Sequence, residues 1–158
     1  MVSMETRTIT DVDFFLQLGA DIGNWYNEAV EVQSLFPDLS LMRFRQVIEA
    51  LCKQMAHATN VNLFNSDNLY DSIQELTQAR IISKSAADKL HRVRIAANSR
   101  VHAKDNEGDK RVSKDIAIKV RDIIVSLLAD IGPVLYPNEG GYTFTKKTIK
   151  TRERDEMI

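Results

Sequence analysis

Three polar residues near the middle of the chain, Arg94, Asn98 and His102, stand at intervals of four. In a helix this spacing places a guanidinium, an amide and an imidazole along one ridge, with His91 beside them one turn earlier. An imidazole can transfer protons near neutral pH, and a guanidinium can stabilise a phosphorane-like transition state. The ridge therefore has two interpretations. One is metal-independent RNA cleavage, with His102 as the general acid or base and Asn98 orienting the substrate or the histidine. The other is hydrogen bonding that only fixes how helices meet, and spacing alone favours it.

The element that positions this ridge is a predicted helix over residues 83–102. Ser83 can cap it, because a serine oxygen accepts hydrogen bonds from the unpaired amides of the first turn. Its apolar residues recur at steps of three and four and form one stripe: Ala86, Leu90, Val93, Ala97 and Val101. The polar ridge lies at the margin of this stripe, where it would meet a neighbouring element.

The same periodicity predicts four further helices. The first starts at a Thr10 or Asp11 cap and runs to about residue 33, with Gly19 and Gly23 marking close helix packing. The second follows Pro37, with Asp38 or Ser40 as its cap, and runs to about residue 58. The third spans about 68–79 after a Ser66 or Asp67 cap. The last begins at Ser113 and ends near residue 131, before Gly132-Pro133.

The predicted fold class is all-α, an antiparallel bundle of about five helices over residues 10–132. Residues 1–9 are expected to be a flexible N-terminus. Residues 133–158 are expected to form an irregular tail or linker, although Tyr142 to Thr145 alternate like a short strand.

Two residues of the second helix, Arg45 and Glu49, stand one turn apart at its edge. Their simplest role is a helical ion pair worth a few tenths of a kcal/mol. The functional alternative is that Arg45 faces the polar ridge of the helix over residues 83–102.

Charge is distributed unevenly along the chain. Residues 1–83 carry a net charge of −6, residues 84–121 carry +6 and residues 122–158 carry −1. The basic segment could contact nucleic-acid phosphates, or it could pair with the acidic first part of the chain, and the latter interpretation is favoured. The candidate nucleic-acid contacts are Arg92, Arg100, Lys104, Lys110 and Arg111.

Several classes of function find no support in the sequence. No apolar stretch approaches the roughly 20 residues needed to span a bilayer, and no signal peptide is apparent. The three histidines and the single Cys52 do not form a metal-binding pattern, and no cofactor motif is present. Cys52 falls on an apolar helix face, which is typical of a small core residue in a reduced, cytoplasmic protein.

The order and spacing of three segments resemble a known helical domain: LMRFRQVIEALCKQMA, NLYDSIQELTQARIIS and LHRVRIAANSRVHAKDNEGD. The similarity is to an uncharacterised HEPN-like domain family, found at the N-terminus of type I restriction enzyme R subunits and in stand-alone proteins. Arg45 and Glu49 match the first part of its pattern, and Arg94, Asn98 and His102 match the last. Ala97 stands where the family has glycine.

The resemblance implies an all-α bundle that dimerises through the motif-bearing helix and acts in antiphage defence or nucleic-acid metabolism. In ribonuclease-type motifs the arginine stands closer to the histidine, whereas seven residues separate Arg94 from His102 here. The first hypothesis is therefore a non-catalytic module that forms a homodimer or docks on a partner subunit and assists the handling of DNA or RNA. The alternatives are a metal-independent ribonuclease using Arg94 and His102, and a regulatory interaction subunit without a nucleic-acid role.

Overall fold

The computed structural model describes residues 7–64, 67–101, 107–139 and 141–150, and the side chains of residues 99–101 and 107–112 lie outside this description. Within these segments the chain forms six helices and two short strands. In order they are β1 (Arg7–Thr10), α1 (Asp11–Leu18), α2 (Ala20–Val32), α3 (Pro37–Ala58), α4 (Leu69–Gln78), α5 (Lys84–Val101), α6 (Glu107–Leu135) and β2 (Tyr142–Thr145). The predicted all-α helical class is confirmed.

Helix α3 is the centre of the bundle and packs against α2, α4, α5 and α6. Its predicted stripe has no solvent exposure: Leu41, Phe44, Ile48, Leu51 and Met55. Contact with four helices lets α3 bury the apolar surface that a 22-residue helix needs for stable packing. Because α4 and α5 lie against it, residues at the edge of α3 can meet residues from both of these helices.

The first predicted helix is two helices, because the chain leaves helical geometry at Gly19. The expected close packing occurs at Gly23, where an added Cβ would lie 2.7 Å from the backbone Cα of Leu16. Helices α1 and α2 therefore approach each other at a point that only glycine allows. Thr10 caps α1 as predicted, by accepting a hydrogen bond from the amide of Asp13 at 3.1 Å.

Helix α6 is longer than predicted at both ends. Ser113 is a buried residue inside the helix and not its cap. At the other end the helix continues through Pro133 to Leu135. The rings of Phe144 and Tyr142 pack onto Gly132 at 3.8 Å and 3.9 Å from the position of an added Cβ, so this end of the helix is covered. The packing of these rings on Gly132 helps to offset the hydrogen bond that proline removes.

The two ends of the described chain meet in a parallel pair of strands, with Arg7 opposite Tyr142 and Thr10 opposite Thr145. The sequence predicted a loose segment in place of β1, whereas the strand-like alternation of β2 is confirmed. Phe14 joins the strands to the bundle, because its ring lies 5.1 Å from Phe144 and 5.9 Å from Tyr142. Edge-to-face aromatic contacts of this kind stabilise a fold beyond the area they bury.

A buried ion pair, which the sequence did not reveal, reinforces this junction. The Asp11 carboxylate is fully buried and accepts hydrogen bonds from the Tyr26 hydroxyl at 2.5 Å, the Arg121 Nε at 2.9 Å and the Lys147 amide at 2.9 Å. Burial alone would raise the pKa of Asp11, but the bonds from Arg121 and Lys147 outweigh it and lower that pKa below its ordinary value. One carboxylate therefore connects α1, α2, α6 and the segment after β2.

Candidate functional site

Helices α3, α4 and α5 enclose a polar cleft of about 330 Å³. Arg45 reaches it from α3, and Arg94 and Asn98 reach it from α5. The third wall is the start of α4 and the residues just before it, which contribute Asp67, Asn68, Leu69 and Tyr70. The cleft thus contains two guanidinium groups, two amides, a phenol ring and one carboxylate.

The local sequence explains how each wall is built. Ser83 caps α5 as predicted, because its Oγ accepts from the amide of Ala86 at 3.1 Å. The predicted stripe of α5 is buried through Ala97, and the adjacent ridge of Arg94 and Asn98 therefore faces the cleft. Helix α4 is capped by Asn68, whose side chain accepts from the amide of Asp71 at 3.1 Å, and not by Ser66 or Asp67 as predicted.

Arg45 fulfils both of its proposed roles at once. Its Nε donates to the Glu49 carboxylate at 2.9 Å, as the predicted helical ion pair, and its Nη1 donates to the Asn98 Oδ1. The side chain of Arg45 is 35% exposed, so the pair remains accessible to a ligand in solution. Since the Asn98 carbonyl oxygen is occupied by Arg45, its amide nitrogen is the group that can donate to a bound molecule.

Arg94 lies over the ring of Tyr70, with 5.1 Å between its Cζ and the ring centroid. Its Nε donates to the Nδ1 of His91 at 3.3 Å, and the His91 ring lies 5.2 Å from that of Tyr70. Partial burial and the positive charge of Arg94 lower the pKa of His91, against the opposing effect of Asp88. His91 is therefore a neutral hydrogen-bond acceptor that orients Arg94.

The basic segment is only partly neutralised within the chain. Among its described side chains, Lys89 pairs with Asp130 at 2.7 Å and Arg121 with Asp11 at 2.9 Å. The other described cations of residues 84–121 form no ion pair with a described carboxylate: Lys84, Arg92, Arg94, Lys114 and Lys119. Of these, Arg94 lines the cleft. The favoured expectation, that the basic segment pairs with acidic residues of the same chain, therefore holds for only some of its described cations.

The structure brings together five of the residues that the sequence selected: Arg45, Glu49, His91, Arg94 and Asn98. His102 and Lys104 lie outside the described residues, as do the side chains of Arg100, Lys110 and Arg111. Arg92 lies on α5 but faces a different surface, an apolar groove of about 290 Å³ between α5 and α6 that Ile95 and Lys119 also line.

Tyr70 is the contributor that sequence reasoning missed. It is 47% exposed and supports both Arg94 and His91. Its only signal in the sequence was its position beside an asparagine-rich loop. The α4 wall of the cleft comes from a helix whose apolar stripe is ordinary and gives no further indication.

The described residues contain no group of three or more histidine, cysteine, aspartate or glutamate side chains that could hold a metal ion. Cys52 is a buried core residue, as predicted, and burial together with the charge of Glu49 raises its pKa to about 12. In the described part of the chain, no helix combines the length and apolar character that a membrane crossing requires.

Such a cleft is suited to an anion that also offers hydrogen-bond acceptors. Guanidinium groups bind phosphate oxygens through geometrically matched donors, and the amide nitrogen of Asn98 adds a neutral donor beside them. The carboxylate of Asp67, which is exposed at the edge, opposes anion binding there and confines the favourable region to the α3–α5 side.

Comparison with known proteins gives one match. The model of a family described as "Domain of unknown function (DUF4145)" matches residues 27–154, from α2 to beyond β2. No curated protein and no solved structure matches the chain.

Proposed function

This chain belongs to the DUF4145 family, and we propose that it is a non-catalytic helical module that binds nucleic-acid phosphates in the cleft of Arg45, Arg94 and Asn98. The observation that carries the proposal is the position of Arg94, which is held by Tyr70 and His91 and has no carboxylate partner among the described residues. A fixed guanidinium of this kind loses little conformational entropy when a phosphate binds.

The HEPN-like relationship is part of the same proposal. It is supported by the contact between Arg45 and Asn98, since these residues belong to separate parts of the family pattern and are 53 positions apart. The setting that we propose is restriction or another antiphage defence system, in the cytoplasm. The ribonuclease alternative uses the same Arg94 together with His102.

Fluorescence anisotropy with a labelled mixed-sequence RNA, and with a DNA of the same sequence, tests the binding. Each phosphate contact contributes about −0.7 to the slope of log affinity against log salt for a single strand. We expect Arg94→Gln to weaken binding and to reduce the magnitude of that slope by about one such contact. Lys53→Gln removes the same charge from an exposed position on α3 outside this cleft, and it should leave both quantities nearly unchanged.

Two results would contradict the proposal: no binding by the wild-type protein at low salt, or equal losses in the two variants. The same RNA, incubated with the protein without added metal, distinguishes binding from cleavage. Cleavage that His102→Ala abolishes while the fold is retained would establish the ribonuclease alternative.

We also propose that the module docks on a partner protein through the α5–α6 groove. Ile95 is 54% exposed there, and Arg92 and Lys119 flank it without a carboxylate partner among the described residues. A symmetric dimer through this groove would bring like charges together, so the groove favours a different protein whose carboxylates surround an apolar centre.

Light scattering of the purified chain, beside Ile95→Glu, tests this second part. If the wild type and Ile95→Glu are both monomers, the result agrees with docking on a different protein. If the wild type is a dimer that Ile95→Glu dissociates, the groove is a site of self-association and the proposed docking on a different protein is wrong.

A further inference from the structure

Phe64 is the most exposed large apolar side chain in the described part of the molecule, with 97% of its surface in contact with solvent. The next, Ile95, is 54% exposed. Burial of a phenylalanine stabilises a fold, and here none of that stabilisation is used. Exposed apolar residues are common, but complete exposure of a phenyl ring is not explained by the packing of this chain.

The backbone at Phe64 is held although its side chain is not. Its amide donates to the Glu75 Oε1 at 2.9 Å, which ties the loop before α4 to the second turn of that helix. The ring therefore projects from an anchored position.

Phe64 is close in sequence to residues that line the cleft. Asp67 and Asn68, three and four residues after Phe64, line the cleft, and the half-exposed ring of Tyr70 follows them. Three residues of chain span at most about 11 Å, so the Phe64 backbone lies within that distance of Asp67 at the cleft. Aromatic rings that accompany guanidinium groups are the usual basis for binding single-stranded nucleic acid, because every base has a face that can stack. A base carries no charge, so Asp67 does not repel a base that stacks on Phe64.

We propose that Phe64 is a stacking site for an unpaired base, and that the ligand of the Arg45–Arg94 cleft is single-stranded nucleic acid. This inference rests on the proposed function and specifies its substrate class. A duplex offers its phosphates to the cleft, but its bases are already stacked on one another, so Phe64 adds nothing to duplex binding.

The experiment compares three labelled probes: a short mixed-sequence RNA, an oligonucleotide of the same length that lacks bases, and the RNA annealed to its complement. Loss of one stacking contact weakens binding by roughly 5-fold to 150-fold. We expect Phe64→Ala to weaken binding of the RNA by about 10-fold, with no change for the other two probes. Phe36→Ala removes another exposed phenyl ring, at the start of α3 and outside the residues that line the cleft, and should have no effect on any probe.

Phe64→Trp provides a second readout, because an indole stacked on a base loses fluorescence. The RNA should quench the added tryptophan and the probe without bases should not. Since Phe64 is almost fully exposed, both variants are expected to keep the melting temperature of the wild type.

Three results would overturn the inference. The first is an equal effect of Phe64→Ala on the RNA and on the probe without bases, and the second is tighter binding of the duplex than of the single strand. The third is no effect of Phe64→Ala although Arg94→Gln still weakens RNA binding. That last result would leave phosphate binding intact and point to Phe64 as a contact for a partner protein.

Discussion

Replacement of Asp11 by asparagine should destabilise the fold strongly, because Asp11 is the shared acceptor that joins four parts of the chain. The variant keeps the shape of the side chain and removes its charge. Breaking a buried ion pair by removing one partner typically costs about 3–5 kcal/mol. Asparagine retains one carbonyl oxygen that can accept a hydrogen bond, and the Arg121 side chain is 12% exposed and can still reach water. We therefore expect the lower end, about 3 kcal/mol in the free energy of unfolding.

Urea unfolding followed by far-ultraviolet circular dichroism measures this change at pH 7. For a chain of this size the same loss lowers the melting temperature by roughly 6–12 °C. Asp13→Asn is the matched control two residues away, because the Asp13 side chain is 51% exposed and meets the Lys147 Nζ only at 3.4 Å. Asp13→Asn should lower the free energy of unfolding by less than about 1 kcal/mol. If Asp11→Asn and Asp13→Asn lower the free energy of unfolding equally, the buried Asp11 carboxylate does not stabilise the junction of the two chain ends.

Three further predictions follow from the same contacts. The stability advantage of the wild type over Asp11→Asn should be complete above about pH 4 and should shrink as the pH falls through the lowered pKa of Asp11, because protonation removes the charge that the folded state stabilises. Unfolding curves at pH 7 and pH 3 measure this change, and an equal difference in stability at both pH values would contradict it. Gly23→Ala should destabilise the protein by about 1–3 kcal/mol, because the new methyl group meets Leu16, whereas Gly19→Ala places its Cβ in ordinary contact at 3.6 Å and should change stability much less; similar thermal shifts for both variants would be inconsistent with close helix packing at Gly23. Cys52, with its pKa raised to about 12, should resist alkylation at pH 8 in the native protein and react in urea, and rapid native-state modification detected by mass spectrometry would show that the core is more open than described.

Local sequence patterns were sufficient for most of the helical architecture. The core stripe of α3 and the caps at Thr10 and Ser83 follow from residues within one or two turns of one another, and all are confirmed. The errors lie at breaks and ends, namely Gly19, Ser113 and Pro133. At Pro133 the outcome depends on the rings of β2, which pack on the neighbouring Gly132 and which periodicity does not report.

The candidate site was predictable in part for the same reason. The pattern on α5 placed Arg94, Asn98 and His91 on one ridge. For Arg45 the sequence left two roles open, an ion pair with Glu49 and contact with this ridge. Its simultaneous bonds to Glu49 and Asn98 required the packing of α3 against α5. Tyr70 could not be assigned, because its role depends on where α4 lies and not on its own neighbours in sequence.

The sequence by itself determined which segments are helical and which of their faces are apolar, because these properties depend on residues a few positions apart. Only the tertiary structure decided that Asp11 and Arg121, 110 positions apart, form a buried ion pair, and that the N-terminal and C-terminal strands pair in parallel. It also decided that the Phe64 side chain projects into solvent. Such long-range contacts depend on the packing of all the helices together, since many pairings of the same charges and rings are compatible with one pattern along the chain.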